Sequence, residues 1–245
     1  MPVLTAKGPV LVHFVDYSQL NSVRTLPYLI EWHERYEPLG LRVLGVQAPR
    51  FAFGGDPEAA ERAFRRLGVE FPVLIDDGRL LWTGYGCEGW PSLFLWGRGG
   101  ILRWFHFGEG DYDGTEEAIQ ESLKAAFEDL PELPQRMEPV RATDAPGAEV
   151  IPPGQELVPF EGRPWTIDDG AAFDVEYEGG GSYATAEGRG RLRVALDGQP
   201  HAEIEIDGPG LYALAEHERH GAHRIGIELE GSPAIWSVSF APAVA

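Results

Sequence analysis

The sequence predicts two successive folds: an α/β domain on a central mixed sheet covered by helices on both faces, then an all-β sandwich. Three observations carry this reading. Short apolar runs and helical patterns follow one another in the order β-α-β-α-β-β-α up to about Leu130, and such alternation implies a sheet with helices on both sides. From about Val150 the hydrophobic period becomes two, with turn residues between the runs, as in a sandwich of short strands. Between them Pro131, Pro134, Pro139, Pro146, Pro152 and Pro153 punctuate a stretch without periodicity, which reads as a semi-rigid linker. The expected division is 1–133 for the first domain, 134–150 for the linker and 151–245 for the sandwich.

In the first domain, Val10–Val15 is a short apolar run with β-branched residues and reads as a buried strand. Ser22–Glu37 is helical, carrying Leu29, Ile30, Trp32 and Tyr36 on its apolar stripe, with Pro27 either in its first turns or at a kink. Leu41–Gln47 is the second strand. Asp56 and Pro57 supply an N-cap and a first helical residue for a helix that ends near Leu67-Gly68. Phe71–Asp76 is a third strand. Ser92–Trp96 and Ile101–Phe107 form a hairpin across Gly97-Arg98-Gly99-Gly100, and Thr115–Leu130 closes the domain as a helix.

In the second domain Leu192, Val194 and Leu196 alternate with polar or small residues, as do Ile204 and Ile206, Ile225, Ile227 and Leu229, and Trp236, Val238 and Phe240. Asp197-Gly198, Asp207–Gly210 and Glu230–Pro233 are the turns between them. Gly179-Gly180-Gly181 reads as a mobile turn.

Composition narrows the function. The chain of 245 residues holds 39 acidic against 20 basic residues, a formal charge of −19. That field repels phosphate backbones, so no nucleic-acid partner is expected. No stretch reaches the ~18 apolar residues of a membrane span. Met1–Lys7 lacks the basic flank and apolar stretch of a signal peptide. The chain as it stands reads as cytoplasmic, or as extracytoplasmic if a signal segment has been removed. A single cysteine, Cys87, excludes an intramolecular disulfide.

The stretch that organises the first domain is Asp16-Tyr17-Ser18-Gln19-Leu20-Asn21-Ser22-Val23-Arg24-Thr25-Leu26-Pro27-Tyr28, where a strand breaks into a helix. It resembles the Tyr-Ser-Cys-x-Asn-Cys-x-Arg-Thr-Leu-Pro-Tyr segment of DipZ-like proteins, thioredoxin-fold thiol:disulfide proteins of the redoxin (TlpA and AhpC/TSA) type with a β-sandwich attached. Val46-Gln47-Ala48-Pro49-Arg50-Phe51-Ala52-Phe53 is similar to that family's Val-x-x-Pro-Glu-Phe-x-Phe, with Arg50 in place of the glutamate. Gly84-Tyr85-Gly86, Trp90-Pro91 and Phe105–Gly110 extend the match, which covers about residues 8–125 and, more loosely, the sandwich. The resemblance implies a thioredoxin-like first domain and a jelly-roll-like sandwich akin to carbohydrate-binding modules.

Gln19 and Ser22 stand where the family has its two cysteines. In that family a thiolate at a helix N-terminus is the nucleophile and the second cysteine resolves the mixed disulfide. Gln19 carries no nucleophile, and no nearby motif supplies a base for the Ser22 hydroxyl. The expected role of Ser22 is to cap the helix, with Gln19 and Asn21 facing solvent. The resemblance further implies a cis peptide before Pro91, in a loop that presents backbone to a substrate peptide. Hence the main expectation is a non-catalytic protein with a degenerate site, which binds a peptide or protein partner through Tyr17, Gln19, Asn21, Ser22, Trp90 and Pro91, with no cofactor. Trp82, Trp90, Phe51 and Phe53 either line that groove or, as large aromatics usually do, fill core.

Two alternatives stand beside it. Cys87, four residues before Pro91, is a candidate thiol for a single-cysteine redox protein, although no basic residue lies within four positions to lower its pKa. Trp165 and Tyr183, with Tyr177 and Tyr212, are candidate platforms for a polysaccharide on the sandwich. His217, His220 and His223 are spaced by three but match no established zinc pattern, and no metal is expected.

Overall fold

The computed structural model describes residues 3–159 and 162–245. The chain divides into two compact units, one running to Val140 and the other from Arg141.

The first unit follows the expected order, with one helix added. Strand β1 (Val10–Val15) is buried along its whole length. Leu11 and Val15 face a core that includes Leu29, Trp32 and Tyr36, while Val10, Val12 and Phe14 face a second cluster with Trp82 and Phe94. A strand apolar on both sides belongs at the centre of a covered sheet. The order β3-β2-β1-β4-β5 places it there, with β2 (Arg42–Gln47) and β3 (Val73–Ile75) parallel to it and the β4–β5 hairpin (Ser92–Gly97, Ile101–Phe107) antiparallel. Helix α1 (Leu20–Tyr36) lays Leu26, Leu29, Trp32 and Tyr36 into the core, each worth about 2 kcal/mol of burial. Pro27 lies inside α1 on its exposed side. Helix α2 (Pro57–Arg66) starts as expected, with the Asp56 carboxylate accepting from Ala59 N–H at 2.6 Å.

Helix α3 (Leu80–Tyr85) was not foreseen. It is six residues long, too short for a period to show. It forms because the buried Asp76 carboxylate accepts from Leu81 and Trp82 N–H at 3.1 and 2.8 Å. Helix α4 runs Tyr112–Ala126 rather than Thr115–Leu130. Asp111, with φ +47°, turns the chain into it, and Phe127 ends it in extended geometry.

The linker also departs from expectation. Its first part is docked on the first unit. Leu133 and Met137 pack on the α/β core. The buried Glu116 carboxylate accepts from Tyr36 O–H at 2.6 Å, Arg35 Nη1 at 3.0 Å and Met137 N–H at 2.9 Å. Gln120 Nε2 donates to Pro134 O at 2.9 Å, Arg35 Nη2 to Gln135 O at 2.6 Å, and Val140 N–H to Tyr28 Oη at 2.8 Å. Proline removes a backbone donor but leaves its carbonyl, and the Pro134 carbonyl finds a side-chain donor in Gln120.

In the second unit, β6 (Val150–Ile151), β7 (Ala172–Leu196), β8 (Gln199–Ile206), β9 (Gly210–Phe240) and β10 (Ala243–Val244) pair in the order β6-β10-β9-β7-β8. The expected short strands are joined into two long bent ones. In β7, Ala172–Gly179 pairs with Gly221–Glu228 of β9. Next, Gly181–Ala186 pairs with Gly210–Glu216 on one side and Ile235–Phe240 on the other, and Gly190–Leu196 lies between β8 and Ile225–Gly231. The expected alternation holds: Leu192, Val194, Ile225, Ile227, Leu229, Val238 and Phe240 are buried.

Gly179–Gly181 is a correction. It is a buried bend within β7, where chains cross closely; a Cβ on Gly180 would meet that of Ala243 at 2.6 Å. Asp197-Gly198 is the predicted two-residue hairpin turn, with φ +50° and +78°.

Candidate functional site at the start of helix α1

The residues after β1 are held from beneath by one carboxylate. Asp16 is fully buried. Its Oδ1 accepts from Ser18 N–H at 2.9 Å and Ser18 O–H at 2.8 Å, and its Oδ2 from Arg50 N–H at 2.7 Å. Burial pushes its pKa up, and the donors from Arg50 and Ser18 pull it back down. The turn at Asp16–Ser18 is the local bond an aspartate makes two residues on, and it aims the chain into α1.

The helix cap differs from expectation. Gln19, with φ −104° and ψ 128°, is the N-cap, and its Oε1 accepts from Ser22 N–H at 2.8 Å. Ser22 is fully buried, and its Oγ accepts from Asp16 N–H at 3.1 Å. A cap must lie just outside the helix with its side chain reaching back. The helix begins at Leu20, which leaves Gln19 in that position and puts Ser22 inside the first turn. Gln19 and Asn21 are partly exposed. Tyr17 is buried, and its N–H donates to the buried Gln47 Oε1 at 3.2 Å.

The other wall is the loop before β4. The Trp90–Pro91 peptide is cis, as the resemblance implied. Phe14 pairs with Ser92, so Pro91 lies one step further, beside Val15 and the start of the site loop. Gln47–Phe53 ties the two walls together. Ala48 N–H donates to Val15 O at 2.9 Å, and Ala48 O accepts from Trp90 Nε1 at 2.8 Å. Trp90 lies against the buried Trp82, ring centroids 4.3 Å apart. Phe51 and Phe53, both partly exposed, stack at 5.7 Å. Of the four aromatics only Trp82 is core; Trp90, Phe51 and Phe53 reach the surface around the site. On the far side Arg24 Nε meets Glu109 Oε1 at 2.7 Å, and Gly108 N–H donates to Pro91 O at 2.8 Å.

Cys87 lies in the apolar cluster with Val12, Phe14 and Trp82. Burial pushes its thiol up to about 11, and the Asp76 charge adds to the rise against a Ser92 hydrogen bond. The thiol is therefore neutral at ordinary pH, whereas reactivity requires the thiolate.

This arrangement sets the helix start beside the loop at Pro91. The helix start holds no thiol, and the Ser18 hydroxyl that meets the Asp16 carboxylate is buried with it. Sequence reasoning missed Asp16, Gln47 and the Arg24–Glu109 pair as supports. Asp16-Tyr17-Ser18 carried a readable turn signal; the other two depend on contacts across the fold.

In the second unit Trp165 packs on Phe173 at 5.0 Å, and Tyr183 O–H donates to Glu216 at 2.6 Å. Tyr212 O–H reaches Asp207 at 3.3 Å and Gly208. Tyr183 and Tyr212 stand on neighbouring rungs of one β7–β9 pairing, opposite Ala213 and Ala184, whereas Trp165 bridges to Ile235. His217 and His223 stack at 3.9 Å within β9, and no cluster suited to a metal exists among the described residues. No helix among the described residues is long and apolar enough to cross a membrane.

No family model matches the chain. It is 30% identical over 237 residues to the protein DipZ of Mycobacterium bovis, a match covering 82% of this chain and 34% of DipZ. It thus spans about a third of the length of that relative. The thiol-disulfide oxidoreductase YkuV of Bacillus subtilis is 23% identical over 120 residues, covering 49% of this chain and 80% of YkuV. Among solved structures, a thiol:disulfide interchange protein DsbE of Chlorobium tepidum superposes with a TM-score of 0.45 at 22% identity, over 49% of this chain and 84% of that one.

Proposed function

We propose that this chain, a DipZ-like protein of thioredoxin fold, binds a peptide or protein partner at the degenerate site and does not turn over disulfides there. The observation that carries the reading is the state of the two cysteine positions. Gln19 is engaged as the helix cap and Ser22 is buried against Asp16 N–H. Neither side chain can form or open a mixed disulfide. Three features around them support the reading: a helix start, the cis peptide before Pro91, and Trp90, Phe51 and Phe53 partly exposed. An extended segment would lay its backbone along the Pro91 loop and its side chains on those aromatics. Cys87 does not compete as a reactive centre, since its thiol is buried and held neutral.

Two measurements test the proposal. Insulin reduction by dithiothreitol should run no faster with the protein than without it, and Cys87→Ser should change nothing. Trp90 fluorescence should respond saturably to a library of extended peptides, and Trp90→Ala should abolish that response. Turnover dependent on Cys87 would overturn the first half. A library that binds equally well to Trp90→Ala would overturn the second.

A further inference from the structure

His217 and His223 stand on opposite legs of a bend in β9, where Glu216 pairs with Gly181 and Gly221 with Gly179. Their rings lie one on the other, centroids 3.9 Å apart and planes within 17°. The pair sits at one end of the sandwich core. His223 is opposite Tyr177, in the inward row that continues through the buried Ile225 and Ile227. Tyr177 is buried as well, parallel to Phe240 at 4.8 Å, and its hydroxyl meets His217 Nε2 at 2.7 Å.

The titratable groups that bear on the pair come from three further elements: Tyr177 of β7, Asp197 of the hairpin turn and His201 of β8. Asp197 Oδ2 lies 3.0 Å from His223 Nδ1, and the bonds from His223 and Arg224 N–H hold its pKa down, so it is an anion. Burial raises the Tyr177 pKa, so the phenol keeps its proton. Glu176 and Arg224 occupy the alternate positions and face the other side of the sheet. His220 lies within the bend itself. Burial holds the His217 pKa below the ordinary 6.5; the His223 charge adds to this, Asp197 opposes it, and His201 adds again.

Two neutral rings stack, and one charged ring beside Asp197 is tolerated. Two imidazolium rings at this distance repel, and they do so at the end of an apolar core. The bend they hold carries the last strand. β10 pairs with it at Val244–Arg219, Arg219 Nη1 donates to Ala245 O at 2.9 Å, and β6 pairs in turn with β10.

We propose that the stacked histidine pair is a proton-operated latch: it keeps the β9 bend closed while at most one ring is charged, and protonation of both opens the bend and frees β10 and β6 from it. The proposal is independent of the site on the first unit. The sign follows from linkage. Once open, His217 binds a proton that the closed bend refuses, so opening becomes up to about tenfold easier for each pH unit below about 6.5, until the closed-state pKa is reached.

The test is amide hydrogen exchange of the full chain, read by residue with NMR and referred to the intrinsic rate at each pH. From about pH 7 to about pH 5, protection of residues 219–222 and of Val244 should fall at least about tenfold. Leu192 and Val194, in the middle of the same core, should stay protected. His223→Gln keeps a polar side chain beside Asp197 without the charge, and it should raise the His217 pKa read from the imidazole resonances. His217→Phe keeps a ring in the stack that cannot be charged. Either variant should remove the acid-dependent loss of protection, and His217→Phe decides the matter if His223→Gln loosens the bend at every pH. Constant protection of the bend over this range in the parent would overturn the proposal. So would the same acid-dependent loss in His217→Phe, or a His217 pKa that His223→Gln leaves unmoved.

Discussion

A buried polar side chain is expensive unless its polar atoms are bonded. His13, at the centre of β1, is fully buried, and neither ring nitrogen has a hydrogen-bond partner among the described residues. Burial lowers its pKa from 6.5 to about 3. The sign follows from linkage. Below about 6.5 the unfolded chain takes up a proton that the folded chain refuses until about 3, so stability is lost as pH falls through that window. Each pH unit crossed removes ~1.4 kcal/mol, so the loss reaches several kcal/mol at the lower end. Urea unfolding should show the midpoint falling between about pH 6.5 and 4, and His13→Leu should make that fall shallower. An unchanged slope in the variant would mean that other groups carry it. Cys87 gives a second expectation at this scale. With its thiol pushed up to about 11, Ellman's reagent should label the folded protein slowly at mildly alkaline pH and the urea-unfolded protein rapidly. Equal rates would show that the thiol is open. That nothing lowers the Cys87 pKa was partly legible, since no basic neighbour stood near it. That His13 is unpaired was not, because partners come from other elements.

Elements were legible in proportion to their length and period. Strand β1, helix α2 and the Asp197-Gly198 hairpin follow from apolar runs, caps and turn residues that are local in sequence. Helix α3 was missed because six residues are too few to display a period, and the carboxylate that accepts from its Leu81 and Trp82 N–H groups, Asp76, precedes it by four positions. The bends of β7 and β9 were read as turns because glycines mark both; only the neighbouring strand decides which. At α1 the expected cap is Ser22, with Gln19 and Asn21 in solvent, because Ser is among the preferred N-cap residues. The tether of Asp16 to Ser18 and Arg50 moved the helix start back and gave the role to Gln19. Gln19→Ala should therefore lower stability by about 0.5–2 kcal/mol, the usual effect of losing a side-chain cap. Gln19→Asp, which caps well on its own, should recover most of it. If Gln19→Ala unfolds at the parent's urea midpoint, the bond to Ser22 N–H contributes nothing.

At the scale of the molecule the linker decides how the chain comes apart. Six prolines made the stretch from Pro131 to Pro153 read as one open connection. Composition sets stiffness, but docking depends on what the neighbouring surface offers. Here Arg35, Glu116, Gln120 and Tyr28 engage backbone groups of residues 134–140. That stretch should resist a protease that needs an extended backbone, although Glu138 is exposed within it. The second unit begins at Arg141, and Glu149 is exposed just before β6. Brief digestion with a glutamate-specific protease should cut after Glu149 before it cuts after Glu138. The two fragments should each keep a cooperative unfolding transition, because each unit has its own buried cluster. Glu116→Gln weakens the charge-assisted bonds to Arg35 and Met137 while keeping the side chain's shape. In that variant cleavage after Glu138 should rise severalfold relative to cleavage after Glu149. Equal cutting at both sites in the parent would show that residues 134–140 are not held by the first unit. Loss of cooperative unfolding in either fragment would show that the two clusters are not independent cores.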